Sequence, residues 1–403
     1  MEAWTTASET ALVKRIAAEP HTRRPDDRMA AASRGTRTVE PQPISPAAVE
    51  ARMKLLILGG TAFLGPAIVE NALARGWQLT LFNRGKTNPG LFKDLEQIRG
   101  DRDPNKAPGL QPLADAIKAG RTWDAVIDTS AYVPRITRAS AELLKPAVRQ
   151  YVLITTVNVY AEPLPKHADE TAPLAPDPEP LDEKLSNESY GPLKAACERA
   201  LASVYGERAT MLRPGLIVGP GDPTDRFTYW PARMQRGGQV LVPQSPKPWN
   251  CETSFIDARD LADFACTCAE KGHGGAFNCA GPDGTLTMDG LVWGCRAAFG
   301  NQAELVPVDE AWLLEQQVQP WMGLPLWIPS AIADQATMGS ISRRRAIEHG
   351  LHFRPLAQTA RDTAEWFTRT KPDFDFGAKP GAAGLSRARE AELLKAWNSR
   401  LKP

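Results

Sequence analysis

The chain has 403 residues, 42% of them hydrophobic, enough to bury a large core and, by size, to form roughly two domains. Its 48 Lys and Arg nearly balance 47 Asp and Glu, so no strong field favours nucleic acid or an anionic membrane surface. No apolar run is long enough to span a bilayer as a helix. Cys197, Cys251, Cys266, Cys268, Cys279 and Cys295 are scattered without a C-x-x-C pair. They read as reduced thiols in a cytoplasmic protein. The five histidines are too few and too dispersed for a metal cluster, and no metal site is expected. His349 and His352 fall near the end of a predicted helix in RRRAIEHGLHF.

Residues 1–52 are rich in Ala, Arg, Pro, Thr and Glu and poor in aliphatics. They cannot bury enough apolar surface to offset the entropy of ordering. They contain no apolar core of a secretory signal. Glu2, Glu9, Glu19, Asp26 and Asp27 argue against an organellar transit peptide. The segment reads as a disordered extension or as a start assigned too early, with Met53 the true first residue.

The first element is LLIL at 55–58, a continuous apolar run suited to a strand buried on both faces of a parallel sheet. GGTAFLG follows, then PAIVENALARG with apolar residues at helical spacing, then a second strand, WQLTLF, at 77–82. This is a βαβ unit. Gly59 allows the tight turn, and Gly65 allows close helix–sheet packing. The helix start presents unpaired N–H groups and a positive dipole end, which suit a diphosphate. Gly59, Thr61, Ala62, Phe63, Leu64 and Gly65 are therefore candidate cofactor-binding residues, with Ala62 where a middle glycine is usual.

An acidic residue at the end of the second strand would select NAD through the ribose 2′-hydroxyl. Here the strand ends in Asn83, Arg84 and Lys86. A guanidinium and an ammonium suit a 2′-phosphate, so NADP is favoured over NAD. Asp101, after the next short strand, is placed to reach an adenine amine. WDAVIDTSAY (123–132) reads as the fourth strand and its loop, PRITRASAELLKPAV as a helix, and QYVLITT (150–156) as the fifth strand. The alternation predicts an α/β fold of Rossmann type, a doubly wound parallel sheet with ligands off the strand ends. Thr129, Thr155 and Thr156 stand at two such ends.

SNESYGPLKAACERALASVYG follows, read as helical from Leu193. Tyr190 and Lys194 are four apart and would share a helix face. An ammonium near the phenol would lower its pKa toward neutrality and make it a proton-exchanging group, with a threonine hydroxyl holding the substrate oxygen.

Taken in order, GGTAFLG, Gly100-Asp101, TTVNVYAE, YGPLK, LRPGLIVGPGD, FIDARDLADF and FNCAGP resemble the extended type of short-chain dehydrogenase/reductase, the NAD(P)-dependent epimerase/dehydratase family. The resemblance spans roughly residues 53–370. It implies that Thr156, Tyr190 and Lys194 are catalytic, with Tyr190 and Lys194 also meeting the cofactor. It further implies that Pro214, Gly215 and Ile217 lie at the nicotinamide and that a homodimer forms through a helix bundle. The GGTxFxG loop resembles an atypical branch whose members are labelled reductase, epimerase or RNA-binding protein. Thr156 is followed by Val157-Asn158 rather than the Asp-Glu of the sugar dehydratases, which argues against elimination chemistry.

The expected organisation is an extension over 1–52, a nucleotide-binding domain over 53–220 to which 250–282 returns, a smaller C-terminal substrate-binding lid over 221–370, and an exposed tail with a short helix over 371–403. Asp222, Arg226, Tyr229 and Trp230 are candidates to line the entrance, by charge pairing and ring stacking. Trp312, Trp321 and Trp327 suggest an aromatic wall, which would suit an apolar or aromatic substrate better than a bare sugar. The leading expectation is an NAD(P)-dependent oxidoreductase. A nucleotide-sugar epimerase with retained NAD and a non-catalytic RNA-binding protein on the same fold are the alternatives.

Overall fold

The apolar run after Met53 forms β1 (Lys54–Leu58), buried on both faces. Leu55 and Ile57 pack into one layer, Leu56 and Leu58 into the other. A strand covered on both sides has no need of polar alternation, which is why its sequence reads as an unbroken hydrophobic stretch. The computed structural model describes residues 52–178, 183–247, 252–300, 302–331, 339–379 and 381–400. The extension expected over 1–52, apart from Arg52, lies outside these, as does Cys251.

From β1 the chain runs through α1 (Leu64–Ala74), β2 (Gln78–Asn83), β3 (Glu96–Arg99), α2 (Gln111–Lys118), β4 (Trp123–Asp128), α3 (Pro134–Leu144), β5 (Val148–Ile154), α4 (Asn187–Tyr205) and β6 (Ala209–Pro214). It leaves through β7 (Ile217–Val218), α5 (Tyr229–Arg236), β8 (Gly238–Gln244) and β9 (Glu252–Asp257). It returns by α6 (Ala258–Lys271) and β10 (Gly275–Cys279). Seven parallel strands result, in the order β10-β6-β5-β4-β1-β2-β3. Helices α1 and α6 cover one face, and α2, α3 and α4 the other. Strand order reverses between β1 and β4, and in such sheets the ligand crevice opens beyond the carboxyl ends at that point.

The remaining elements are β11 (Gly281–Thr287), α7 (Met288–Ala297), β12 (Ala303–Asp309), α8 (Glu310–Glu315), β13 (Pro320–Trp321), β14 (Leu324–Pro325), α9 (Arg344–Glu348), α10 (Leu356–Thr370) and α11 (Arg387–Arg400). With α5 and β8, all of these except α9, whose Ala346 packs into the sheet core, build a second core that includes Trp230, Met234, Leu241, Leu291, Leu313 and Trp327. Strands β8 and β12 pair in parallel inside it.

Two expectations are corrected here. Helix α4 begins at Asn187 rather than Leu193, running through Gly191 and Pro192. A reciprocal cap explains the early start: Ser189 N–H donates to Ser186 Oγ at 3.2 Å and Ser186 N–H to Ser189 Oγ at 2.8 Å. The tail over 371–403 is no appendage. Leu393 and Leu394 of α11 enter the second core, and the buried Glu390 takes Arg233 Nε at 2.7 Å, Arg236 Nη2 at 3.0 Å and the Leu241 N–H at 3.2 Å. Two guanidiniums make the burial of that carboxylate tolerable in a helix that otherwise reads as surface.

Glu390→Ala leaves Arg233 buried without its carboxylate, and is expected to destabilise the fold by about 3–5 kcal/mol. Urea unfolding measures this, and a loss below about 1 kcal/mol, the surface-pair range, would return α11 to the status of an ornament.

Candidate functional site

Gly59 and Gly60 leave β1 with φ of 111° and 92°, a region that favours glycine. A Cβ on Gly59 would overlap the Thr129 hydroxyl, and one on Gly65 would meet the Gly60 backbone at 2.6–3.0 Å. The loop is thus folded tightly onto the start of α1. That helix has no side-chain cap and no acidic residue in its first turn. Its first N–H groups and dipole face the crevice, an environment for a diphosphate. Thr61 and Leu64 are buried, Phe63 half-buried and Ala62 exposed. These features fit a nicotinamide dinucleotide.

At the end of β2, Asn83 ties the turn together. Its Nδ2 donates to the Gly59 carbonyl at 3.3 Å, and its Oδ1 accepts from the Gly85 N–H at 2.9 Å and from the Arg99 guanidinium. Arg84 and Lys86 are exposed beside it. Arg99, which sequence reasoning missed, lies over Gly85 and adds a third cation to this corner. Its signal was the register of β3, where Arg99 stands opposite Asn83. Half-buried Asp101 accepts the Asp103 N–H at 3.0 Å.

Beyond β4 and β5 lies the second cluster. Lys194 is buried, and its Nζ donates to the Ala131 carbonyl at 2.7 Å and the Ile154 carbonyl at 2.9 Å. An ammonium has three donors, so one N–H remains for another acceptor. The Tyr132 ring lies 5.1 Å from the same Nζ. Thr156 caps the short turn Val157–Val159 through the Asn158 N–H at 3.3 Å, and its hydroxyl is hydrogen-bonded to that of Tyr190. Gly191 makes this meeting feasible, since a Cβ there would collide with the Asn158 carbonyl. Thr129 donates to the Leu58 carbonyl at 3.0 Å, while Pro214 ends β6, Gly215 follows it and Ile217 opens β7.

Burial pushes the Tyr190 hydroxyl up, Tyr132 adds to this, and Thr156 and Arg226 oppose it. The expected lowering by Lys194 is absent from these causes: its ammonium is directed at the two strand-end carbonyls. Burial in turn lowers Lys194, with nearby Asp128 opposing.

Of the four entrance candidates, half-buried Arg226 is the one whose charge is felt at Tyr190. Its guanidinium lies 5.6 Å from the centroid of half-buried Trp321. The other three need correction. Tyr229 and Trp230 are 1% and 0% exposed, and Trp230 donates to the Pro325 carbonyl at 2.7 Å inside the second core. Asp222 is also 0% exposed, holding its own turn through the Thr224 N–H at 2.8 Å and hydroxyl at 2.7 Å. Trp312 and Trp327 are core residues as well, and of the three tryptophans Trp321 is the one that meets Arg226. Tyr132, 41% exposed beside both Lys194 and Tyr190, is the aromatic that the sequence reading passed over.

A model of the family described as NAD dependent epimerase/dehydratase matches residues 55–280. A 2-alkyl-3-oxoalkanoate reductase from Stenotrophomonas maltophilia (strain K279a) is 30% identical over 344 residues, 81% of this chain and 95% of that protein. The Epimerase family protein SDR39U1 from Bos taurus is 27% identical over 275 residues, 64% of this chain and 84% of its own length. Among solved structures, the UDP-glucose 4-epimerase of Thermus thermophilus in complex with NAD aligns with a TM-score of 0.53 at 21% identity, over 79% of this chain and 100% of that one.

Burial pushes the Asp222 carboxyl up from 3.8 to about 6. The folded protein therefore binds this proton more tightly than the unfolded chain does, so the contribution is full at low pH and is lost as pH rises through about 6. At about 1.4 kcal/mol per pH unit, the loss is on the order of 2–3 kcal/mol. Asp222→Asn mimics the neutral form and is expected to gain on the wild type as pH goes from 4 to 8. Urea midpoints across that range check this, and a pH-independent difference would show Asp222 to be ionised throughout.

Proposed function

The chain belongs to the NAD dependent epimerase/dehydratase family of the short-chain dehydrogenase/reductase superfamily, and from that premise we propose that it is an NADP-preferring reductase of a carbonyl group in a small anionic substrate. The observation that carries this reading is the convergence of Tyr190, Thr156 and Arg226 beside a buried Lys194. The Gly59–Gly65 loop would hold a nicotinamide dinucleotide, which would supply the hydride. The chain's own residues do the rest.

Thr156 orients the substrate oxygen, and Tyr190 gives it a proton. With its hydroxyl pushed up by burial, Tyr190 is protonated through the neutral range, the form that a proton donor requires. Lys194 keeps one N–H for the cofactor ribose. Arg226, backed by Trp321, offers a charge-assisted hydrogen bond to a carboxylate or phosphate. A 3-oxo acid carries both functions, a carbonyl for Tyr190 and a carboxylate for Arg226. The similarity to a 2-alkyl-3-oxoalkanoate reductase supports the same substrate class. For the cofactor, Arg84, Lys86 and Arg99 at the end of β2 and β3 support a 2′-phosphate.

Fluorescence titration of the full chain is expected to show NADPH binding more tightly than NADH, with Arg84→Ala reducing the gap by about tenfold. Equal or tighter NADH binding, with no net consumption of cofactor, would overturn the reductase reading in favour of an epimerase that retains NAD.

Gly191→Ala drives α4 off the Asn158 carbonyl. It is expected to lower kcat by about a hundredfold, as misplacement near 1 Å does, while the Kd for NADPH moves little. An unchanged kcat would remove the Thr156–Tyr190 contact from the mechanism.

A further inference from the structure

Resting on the reading of Arg226 given above, we propose that Lys371 and Asp225 form a clamp by which the C-terminal segment positions Arg226 at the substrate, and so selects for anionic substrates. Asp225 directly precedes Arg226 and has φ of 53°. A non-glycine residue holds that conformation only where its surroundings enforce it. Two contacts do so. The Asp225 carbonyl accepts the Tyr229 N–H at 3.1 Å, fixing the start of α5, and Asp225 Oδ2 lies 2.6 Å from Lys371 Nζ.

Lys371 is itself seated. Its ammonium lies 5.3, 5.7 and 5.3 Å from the ring centroids of Trp366, Phe367 and Phe374. Three aromatic faces and one carboxylate leave it little freedom. Farther along, Phe376 meets the Tyr229 ring edge-on at 5.3 Å, and Gly384 leaves the room that ring occupies. Glu390 then grips Arg233 and Arg236 at the other end of α5. The segment that begins at Lys371 thus holds α5 at both ends, and the loop with Arg226 hangs from the first. Lys371 acts through Arg226, so it is a positioning residue.

The test compares Lys371→Met with Lys371→Arg in the full chain. Met keeps the stem among the rings and loses the charge; Arg keeps the charge. Each is assayed with NADPH on acetoacetate and on 2-butanone, a neutral ketone. Hydrogen exchange of residues 219–229 is measured in parallel. For Lys371→Met the clamp predicts a KM for acetoacetate raised by at least about tenfold, with kcat, the KM for 2-butanone and NADPH binding little changed. Exchange in 219–229 should quicken. Lys371→Arg should restore most of both effects. A general loss of packing would instead raise both KM values together, and that result overturns the proposal. So does wild-type exchange in 219–229 of the Met variant. If the wild type reduces neither ketone, the functional reading fails alone: faster loop exchange in Lys371→Met, reversed in Lys371→Arg, still supports the clamp.

Discussion

A buried ammonium where two parallel strands end organises this molecule. Taking a charge like that of Lys194 out of water costs several kcal/mol unless hydrogen bonds replace the lost hydration. The Ala131 and Ile154 carbonyls replace part of it, the Tyr132 ring lies against it, and the Asp128 carboxylate is close enough to favour the charged form. These partners belong to the segments leaving β4 and β5, so Lys194 satisfies its charge only where the two strands end side by side. That requirement fixes the rotation and height of α4 on the sheet. One turn earlier on the same helix, Tyr190 is carried to the crevice as a consequence.

A second tie keeps the turn that bears Thr156 in step with that helix. Glu198 lies one turn beyond Lys194 and is gripped by Arg213 through bonds of 2.6 to 3.2 Å. The same guanidinium donates to the Tyr160 hydroxyl at 2.8 Å, and Tyr160 donates to Asn278 Oδ1 at 2.7 Å. Tyr160 closes the turn that begins at Thr156, and Asn278 belongs to the edge strand β10. A fully hydrogen-bonded polar network of this kind specifies one arrangement, because every partial alternative leaves a buried charge unpaired. Gly191 completes the design by omission, letting α4 rest directly on the Asn158 carbonyl.

Much of this was legible in the sequence where local chemistry and tertiary role coincide. The apolar run of β1 and the order of strands and helices follow from patterns only a few residues long. Ala62, where the motif departs, is not a point of close backbone packing. The close approach is made between Gly60 and Gly65, while position 62 is exposed and has room for a methyl group. The misreadings share another cause. Tyr229, Trp230 and Asp222 have side chains suited to recognition, but packing in the folded chain decides their place. For Trp230 and Tyr229 the deciding partners, Pro325 and Phe376, are distant in sequence. Likewise α11 carries the charge pattern of a surface helix, and only Arg233 and Arg236, some 150 residues earlier, make its Glu390 a core residue. Arg99 and Tyr132 were missed because strand register and loop path, which no short window contains, bring them to the site.

The two cores therefore divide the labour by physics rather than by position in the chain. The sheet domain fixes Lys194 and the helix that carries Tyr190 with buried hydrogen-bonded groups whose geometry tolerates little movement. The second core places one cation, Arg226, on a loop that starts at two glycines with positive φ, Gly219 and Gly221. The far end of that loop is held at Asp225 by the Lys371 ammonium and one backbone hydrogen bond. A loop so built changes its reach by altering a few contacts around Asp225, without disturbing Lys194, Tyr190 or Thr156. Substrate choice can thus drift while the reaction is conserved.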